Sequence, residues 1–424
     1  MNYLNLSKNE LLSEKESLQK KYEDYKNMGL SLNMARGKPS SEQLDLSQPL
    51  LDSLKSTDSY LSDDGTDCRN YGGFDGIVEC KHLFADILET EPDNVFVGGN
   101  SSLNMMFDTI SCFMTASIYD DTLPWHDVKD RKFLCPVPGY DRHFGVTGYF
   151  GFEMIPVPMN DDGPDMDVVE KLVSEDESIK GIWCVPKYSN PTGITYSDEV
   201  VKRFAALKPA AKDFRIMWDN AYAIHDVNDT PDTLLSIIDE CKKTGNVDLP
   251  ILFCSTSKIT FSGAGVAALA ASPLNMKVLK KRLTYATIGY DKLNMLRHSR
   301  FFKNFDGLKN HMEKHKKLLA PKFKTVIDSL DNELKDAGIA SWTNPNGGYF
   351  VSVDVYNGTA DRVVELCKNA GVVLTGAGAT FPYGNDPQNK NIRIAPSFPT
   401  VEELQSAMDI FCVCAKLAAL EVLA

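Results

Sequence analysis

The 424-residue sequence lacks a long hydrophobic run, a surplus of basic charge and a leader-like start. No stretch approaches the roughly eighteen uninterrupted apolar residues of a membrane span. The first residues show no basic segment followed by an apolar one, which predicts no secretory signal. Lysine and arginine total 45 against 58 acidic residues, for a net charge of −13. This balance disfavours a nucleic-acid partner, because phosphate binding needs clustered cations.

The sequence also has no paired cysteine pattern. Its ten cysteines are scattered, and the closest two, Cys412 and Cys414, form only C-x-C without a neighbouring Cys or His. We therefore expect neither a metal site nor a disulfide framework. Reduced, buried thiols in a chain without a signal favour a cytoplasmic protein.

What the sequence does contain, from about Asp93 onward, is an alternation of short apolar runs with helical patterns. The runs are apolar almost throughout, as strands covered on both faces are: NVFVGG, KFLCP, GIWCVP, RIMWD and ILFCS. This alternation predicts an α/β fold with a large, doubly wound, mostly parallel sheet. Such sheets bind ligands beyond the carboxyl ends of their strands.

The two ends of the chain have a different texture, which predicts a second, smaller α+β domain. Ser7 and Glu10 form a capping box that begins an N-terminal helix. Residues 36–47 are predicted to be a loop, because glycine and proline interrupt them. We expect residues 1–52 to contribute to the small domain, residues 53–300 to form the large ligand-binding domain, and residues 301–424 to complete the small domain.

Lys258 follows the apolar run Ile251–Cys254, among small hydroxyl residues in STSK. A lysine just past a buried strand can be partly desolvated and act as an amine nucleophile. The neighbouring Ser255 and Ser257 can donate to a phosphate. Taken alone, the segment is more typical of a surface lysine in a serine-rich loop, because short motifs often match by chance.

Two further segments place polar side chains after predicted strands. Asp219 ends RIMWD, and a carboxylate there can hold a proton on a pyridine-type nitrogen. Tyr222 lies three residues on, in DNAY, and Asn190 begins the turn NPTG. The phenol and the amide are both suited to bind a ring hydroxyl. The alternative is an ordinary strand-end cap for Asp219 and a simple turn at Asn190.

Two segments carry donors for anions. Gly98 and Gly99 lead through Asn100, Ser101 and Ser102 into a helical pattern, and a helix N-terminus with free N–H groups is an anion site. Arg393 lies between Ile392 and Ile394 on a half-buried strand, where its charge needs a partner or a carboxylate ligand. An N-cap and a structural ion pair are the alternatives.

Taken in order, these segments resemble the fold-type I pyridoxal-phosphate (PLP) enzymes of the class I and II aminotransferase branch. The matching segments are GNSS, PGY, YSNPTG, DNAY, STSK and RIAPS. ARGKPSSEQLDLS, NYGGFDG and IRIAPSFPT are similar to a bacterial aspartate aminotransferase subgroup, related domains of which occur fused to winged-helix repressors. The resemblance covers the chain from about Asn33.

The resemblance implies a role for each matched residue. Lys258 would hold PLP as a Schiff base and carry the proton between substrate and cofactor, and Asp219 would pair with the ring nitrogen. Asn190 and Tyr222 would hold the ring hydroxyl, with Asn190 also beside the substrate. The phosphate would be bound by Ser101, Ser102, Ser255 and Ser257, next to Asn100. Tyr71 would reach the phosphate of a second subunit, which implies a homodimer, and Arg393 backed by Gly37 would bind the substrate carboxylate.

The sequence departs from the family pattern at two places. Val266 stands where the family often has an arginine on the phosphate, and Val137 stands where it often has an aromatic residue stacked on the ring. Tyr140 is our candidate for the stacking role. A cation that selects a dicarboxylic substrate is not evident. The candidates are Arg36, Lys38, Lys187, Arg297 and Arg300, and each is also typical of a surface or structural charge.

We therefore expect an aminotransferase that moves an amino group from an amino acid, aspartate by resemblance, to 2-oxoglutarate in two half-reactions. Transfer of another amino acid, such as alanine or an aromatic one, is an alternative, as is a PLP-dependent lyase or decarboxylase. A PLP-binding regulator without turnover is disfavoured, because about thirty residues precede the matching region and the net charge is wrong for DNA.

Overall fold

The computed structural model describes residues 1–424 as thirteen α-helices and thirteen β-strands. The helices are α1 Lys8–Asn27, α2 Ser41–Asp45, α3 Val78–Leu88, α4 Ser102–Thr115, α5 Asp141–Tyr149, α6 Met166–Glu175, α7 Asp198–Ala205, α8 Ile237–Thr244, α9 Pro273–Leu283, α10 Lys292–Phe302, α11 Phe305–Leu334, α12 Ala360–Asn369 and α13 Val401–Leu423. The strands are β1 Leu32–Asn33, β2 Val95–Val97, β3 Lys132–Val137, β4 Glu153–Asn160, β5 Gly163–Pro164, β6 Ile179–Cys184, β7 Arg215–Asp219, β8 Pro250–Ser255, β9 Ala267–Ala271, β10 Ser341–Trp342, β11 Val351–Asp354, β12 Val372–Val373 and β13 Asn391–Ile394.

Eight strands form the main sheet, in the order β2-β9-β8-β7-β6-β3-β4-β5. The pairs from β8 through β4 are parallel, whereas β9 runs antiparallel to both of its neighbours and β5 pairs antiparallel with β4. The central strands β6 and β7 are buried along their whole length, as expected for strands with helices on both faces. The carboxyl ends of β3, β6, β7 and β8 therefore meet at one edge of the sheet.

A second unit is built from both ends of the chain. The three-stranded antiparallel sheet β10-β11-β13 packs in one hydrophobic core with α1, α11, α12 and α13. The short parallel pair β1-β12 joins an N-terminal segment to a C-terminal one, with Leu32 opposite Val372. Arg393 on β13 is thereby tied to residues at the beginning of the chain.

The N-terminal half of the small unit differs from our expectation in one respect. Residues 36–47 were predicted to be a loop, but α2 forms within them. Ser40 accepts from the backbone N–H of Gln43, and the Gln43 side chain accepts from the Ser40 N–H, so a capping box starts the helix. The same motif was recognised at Ser7 and Glu10, where the capping box is present.

The sequence predicts no membrane-spanning segment and no disulfide bonds. None of the helices combines the length and the apolar character that a bilayer crossing requires. All ten cysteines are free and buried.

Candidate active site

A cavity of about 210 Å³ opens at the edge where the parallel strands end. Side chains that follow β7 and β8, and residues of the segment that enters α4, meet in its walls. It is lined by Ser101, Ser102, Leu103, Met106, Tyr140, Val185, Asn190, Asp219, Ala221, Tyr222, Ser255, Ser257, Lys258 and Ser262. Segments more than 150 residues apart in the sequence are therefore joined into one site by the sheet order.

Lys258 lies three residues beyond β8, with its amine inside the cavity. Its Nζ is 5.0 Å from the centre of the Tyr222 ring and 5.9 Å from that of Tyr349. Burial lowers the pKa of the Lys258 amine, and the positive charge of Arg393 lowers it further, whereas Asp219 opposes both effects. A larger fraction of the amine is therefore neutral, which is the form that attacks a carbonyl.

Asp219 ends β7 and is 2% exposed. Its Oδ2 lies 3.0 Å from Nε2 of His143, whose imidazole stacks on Trp183 at 4.3 Å between ring centres. Its Oδ1 is buried and has no hydrogen-bond partner. An unpaired buried carboxylate oxygen is costly, so this atom is suited to a ligand that brings a positive or N–H group.

Asn190 follows β6 and Tyr222 follows β7; both line the cavity with Asp219, and both are almost fully buried. The Oδ1 of Asn190 accepts from Nη1 of Arg393 at 3.2 Å, which leaves the amide nitrogen as the donor for a ligand. Burial raises the pKa of the Tyr222 phenol well above its usual value, and Asp219 raises it further. Tyr222 is thus held as a neutral hydrogen-bond donor.

The other end of the cavity is lined by hydroxyl groups. Ser255 donates to Ser257 at 3.1 Å between their Oγ atoms, and Ser257 Oγ donates to the backbone oxygen of Asn100 at 3.1 Å. Ser101 is the N-cap of α4, so the cavity also faces the positive end of that helix. Asn100 contributes this backbone contact, while its side chain is exposed and absent from the cavity wall.

Arg393 lies beside the cavity, behind Asn190, and is 7% exposed. Its Nη1 donates to Asp141 Oδ1 at 3.0 Å, and its Nη2 donates to Thr375 Oγ1 at 3.3 Å. The guanidinium carbon is 4.8 Å from the centre of the Phe350 ring. Gly37 lies against the same ring: a Cβ built there would be 2.5 Å from the Phe350 Cζ atom. Gly37 therefore leaves the space that lets Phe350 lie beneath Arg393.

Several residues from the sequence analysis lie away from the cavity. Tyr71 is 79% exposed in this single chain. Val266, which stands where the family often has an arginine on the phosphate, is buried, and its N–H donates to Thr256. This residue therefore supplies no positive charge. None of the five candidate selector cations lines the cavity. Lys187, for example, pairs with Asp226 at 3.1 Å and donates to the Ala223 carbonyl.

The structure also adds residues that sequence reasoning missed. His143 and Asp141 lie on the first turn of α5, directly after Tyr140, and they contact Asp219 and Arg393 respectively. Tyr349 donates to the backbone oxygen of Lys258 at 3.3 Å and accepts from Gln43. The segment PGYDRH followed an apolar run, as Lys258 did, and that position was the one signal that could have identified His143.

A buried lysine, an unpaired aspartate oxygen and a hydroxyl-lined helix N-terminus fit the aldehyde, ring nitrogen and phosphate of PLP. With the mostly parallel sheet that positions them, they define the class of fold-type I PLP enzymes. The family model for "Aspartate amino-transferase" matches residues 6–424, and the chain belongs to this family.

Individual relatives agree with that placement. An aspartate aminotransferase from Corynebacterium glutamicum is 48% identical, over 96% of this chain and 94% of that protein. The crystal structure of an aspartate transaminase from C. glutamicum superposes with a TM-score of 0.97 at 46% identity and covers both chains completely. LysN from Thermus thermophilus, an α-aminoadipate aminotransferase, has a TM-score of 0.75 at 18% identity, which reflects a shared fold.

These comparisons confirm four expectations from the sequence. The chain is a fold-type I aminotransferase and has the expected mostly parallel sheet. It is a PLP-dependent transaminase of the aspartate aminotransferase family, and its cofactor is pyridoxal 5′-phosphate.

Proposed function

We propose that this protein transfers the amino group of aspartate to 2-oxoglutarate in two half-reactions that share one cofactor. The observation that carries the proposal is the placement of the Lys258 amine and the unpaired Asp219 oxygen in one cavity. An amine nucleophile and a fixed anion are the two groups that this cofactor needs from the protein. The 48% identity to a named aspartate aminotransferase supports aspartate as the donor.

Each cavity wall has a part in holding the cofactor. Oδ1 of Asp219 would accept a hydrogen bond from the protonated ring nitrogen, and His143 holds the other carboxylate oxygen. Asn190 and Tyr222 would donate to the ring hydroxyl, and Tyr140 would lie against the ring. The phosphate would be held by the N-terminus of α4 together with Ser101, Ser102, Ser255 and Ser257. When bound, PLP supplies an electron-accepting ring that stabilises negative charge at the substrate Cα.

Lys258 then acts as the acid and base. With cofactor and substrate bound, the Lys258 amine would accept the proton that leaves the substrate Cα and would later return a proton. A lowered pKa suits this work, because the amine must be neutral to accept the proton. Tyr222 lies against the amine and excludes water from one side.

Arg393 binds the α-carboxylate of the substrate. It is a buried cation that Asn190, Thr375 and Phe350 hold in one orientation. A guanidinium so fixed places the substrate Cα at a constant position relative to Lys258. None of the five candidate cations for the second carboxylate lines this cavity, so the proposal assigns none of them to that role.

The proposal includes a homodimer with shared sites, in the cytoplasm. Tyr71 is 79% exposed although it is an aromatic residue, which is what a side chain that inserts into a partner's phosphate site requires. Ten free, buried cysteines suit a reducing compartment. The division at residues 52 and 300 also remains part of the proposal; it is supported by the hydrophobic core that α1, α11 and α13 share.

The test is a product analysis of the PLP-loaded protein with aspartate and 2-oxoglutarate. We expect oxaloacetate and glutamate in equal amounts. Without 2-oxoglutarate, the amount of oxaloacetate should not exceed one equivalent of enzyme. Lys258→Ala should lose this activity and bind PLP without a covalent bond, whereas Lys187→Ala should keep the covalent bond. Turnover of alanine or an aromatic amino acid, but not aspartate, would refute the specificity. Catalytic product formation without an oxo acid would indicate a lyase.

A further inference from the structure

Arg393, the residue for which we propose substrate carboxylate binding, already has an anionic partner within the chain. Asp141 Oδ1 lies 3.0 Å from Nη1 of Arg393, and the two residues are 252 positions apart in the sequence. Arg393 is 7% exposed, whereas the Asp141 side chain is 35% exposed. The pair is thus asymmetric: a buried cation is matched by an anion at the edge of the solvent.

The hydrogen bonds of the guanidinium show which of its N–H groups Asp141 occupies. Nη1 has two hydrogens, and its acceptors are Asp141 and Asn190. Nη2 donates to Thr375, and Nε is buried without a partner. The Phe350 ring covers one face at 4.8 Å. A carboxylate that binds across both Nη atoms needs one N–H group from each, and Asp141 already holds one of those on Nη1.

We propose that Asp141 is a specificity-determining residue that occupies the α-carboxylate site on Arg393 in the free enzyme and leaves when the substrate binds. The proposal rests on the proposed role of Arg393 as the carboxylate clamp. In the free enzyme, Asp141 neutralises a buried charge that would otherwise be uncompensated. In the substrate complex, the substrate carboxylate takes over that role.

The position of Asp141 allows this exchange. It is the first residue of α5, where the unpaired backbone N–H groups and the helix dipole stabilise a negative charge that has left Arg393. Its partial exposure gives the released carboxylate access to water. If it stayed, two carboxylates would share one guanidinium at a few ångströms, and their repulsion would weaken substrate binding.

The exchange of Asp141 for the substrate carboxylate explains how the site could distinguish ligands that have a carboxylate from ligands that lack one. A ligand with a carboxylate replaces one ion pair by another, so the buried arginine is never left unpaired. An amine without a carboxylate cannot displace Asp141, and the site remains closed to it. Removal of the Asp141 charge should therefore tighten the binding of carboxylates in general, without new contacts to the ligand.

The experiment measures binding of succinate to the PLP-loaded enzyme by isothermal titration calorimetry. Succinate carries carboxylates but no amine, so it cannot react. We expect Asp141→Asn to lower the succinate Kd by about five- to tenfold relative to wild type, because a competing charge is removed while the shape is kept. The KM for aspartate should fall with it, without a rise in kcat. Asp141→Ser, a second uncharged variant, should behave in the same way if the asparagine variant folds poorly.

Asp167→Asn is the matched control, because Asp167 also lies in the first turn of a helix, α6, and pairs with an arginine, Arg203, at 2.6 Å. Its succinate Kd should equal that of wild type. An unchanged or higher Kd and KM in both Asp141 variants would overturn the proposal and make Asp141 an orienting partner of Arg393. Arg393→Ala separates the two ideas: if it binds succinate as well as wild type does, the clamp role itself fails.

Discussion

Nε2 of His143 lies 3.0 Å from Oδ2 of Asp219, and both side chains are almost fully buried. Because one carboxylate oxygen is held by the imidazole, the other is presented to the cavity without a partner. The same imidazole is held in turn by stacking on Trp183. A chain of three side chains thus fixes the atom that we propose meets the cofactor ring nitrogen.

The contacts from Trp183 through His143 to Asp219 predict that two substitutions lower activity to different degrees. His143→Phe keeps a ring on Trp183 but removes the nitrogen at Asp219, and we expect kcat to fall about tenfold, the worth of one hydrogen bond to a charged group. Asp219→Asn removes the anion itself, and we expect a loss of about a thousandfold. Steady-state kinetics with aspartate measure both. Equal losses in the two variants would contradict the supporting role of His143.

The hydroxyl-lined end of the cavity predicts how PLP is retained. Since Val266 supplies no charge, each serine hydroxyl should carry a measurable share of phosphate binding. We expect Ser255→Ala and Ser257→Ala each to weaken PLP binding about three- to tenfold, as loss of a hydrogen bond to an anion does. Reconstitution of the cofactor-free protein with increasing PLP gives the Kd. Ser174→Ala, at an exposed helix position, is the control that should leave this Kd unchanged.

Gly37 predicts a defect in substrate binding alone. A methyl group at this position would lie 2.5 Å from Phe350 Cζ, so the ring beneath Arg393 must move. We expect Gly37→Ala to raise the KM for aspartate about tenfold, because a displaced clamp misplaces the substrate. PLP affinity should not change. Gly145→Ala on α5 has open space around the added methyl group and serves as the control; a similar KM in both variants would refute the steric argument.

His298 predicts a dependence of stability on pH. Burial lowers the pKa of this imidazole from 6.5 to about 4, and it stays neutral between Thr256, Thr260 and the Asn294 carbonyl. Between these two values the unfolded chain binds a proton that the folded chain does not. The stabilisation is therefore present above pH 6.5 and is lost as the pH falls toward 4. From pH 7 to pH 5 this one group should cost about 2 kcal/mol in the free energy of unfolding.

Urea denaturation at pH 7 and pH 5 measures that difference. In His298→Gln the loss between the two pH values should be smaller by about the same amount. His126→Gln, at an exposed position, should retain the wild-type loss. An identical pH dependence in wild type and His298→Gln would show that another group is responsible.

The sequence allowed the positions of Lys258 and Asp219 to be predicted because each is a local feature, a polar residue directly after a buried strand. The contact between Asp141 and Arg393 could not be predicted in this way, since it joins residues 252 positions apart and depends on how α5 and β13 meet. His143 was missed for the same reason. The antiparallel course of β9 was also hidden, because AALAA is equally apolar in either direction.

The helix α2 was missed for a different reason. Gly37 and Pro39 predict a loop, but the capping box of Ser40 and Gln43 directly after them starts a helix. Gln43 also donates to the Tyr349 hydroxyl, which donates in turn to the backbone of Lys258. A short helix with a local signal is thus connected to Lys258 through two hydrogen bonds, which a sequence pattern does not show.

The packing of α1 against α13 has a consequence for biosynthesis. The residues that form the cavity, from Ser101 to Ser262, leave the ribosome well before Arg393 and the final helix. The unit that carries Arg393 is completed only when α13 packs on α1. Helix α1 is synthesised first and α13 last. During synthesis, every residue that lines the cavity therefore precedes the residue for which we propose carboxylate binding.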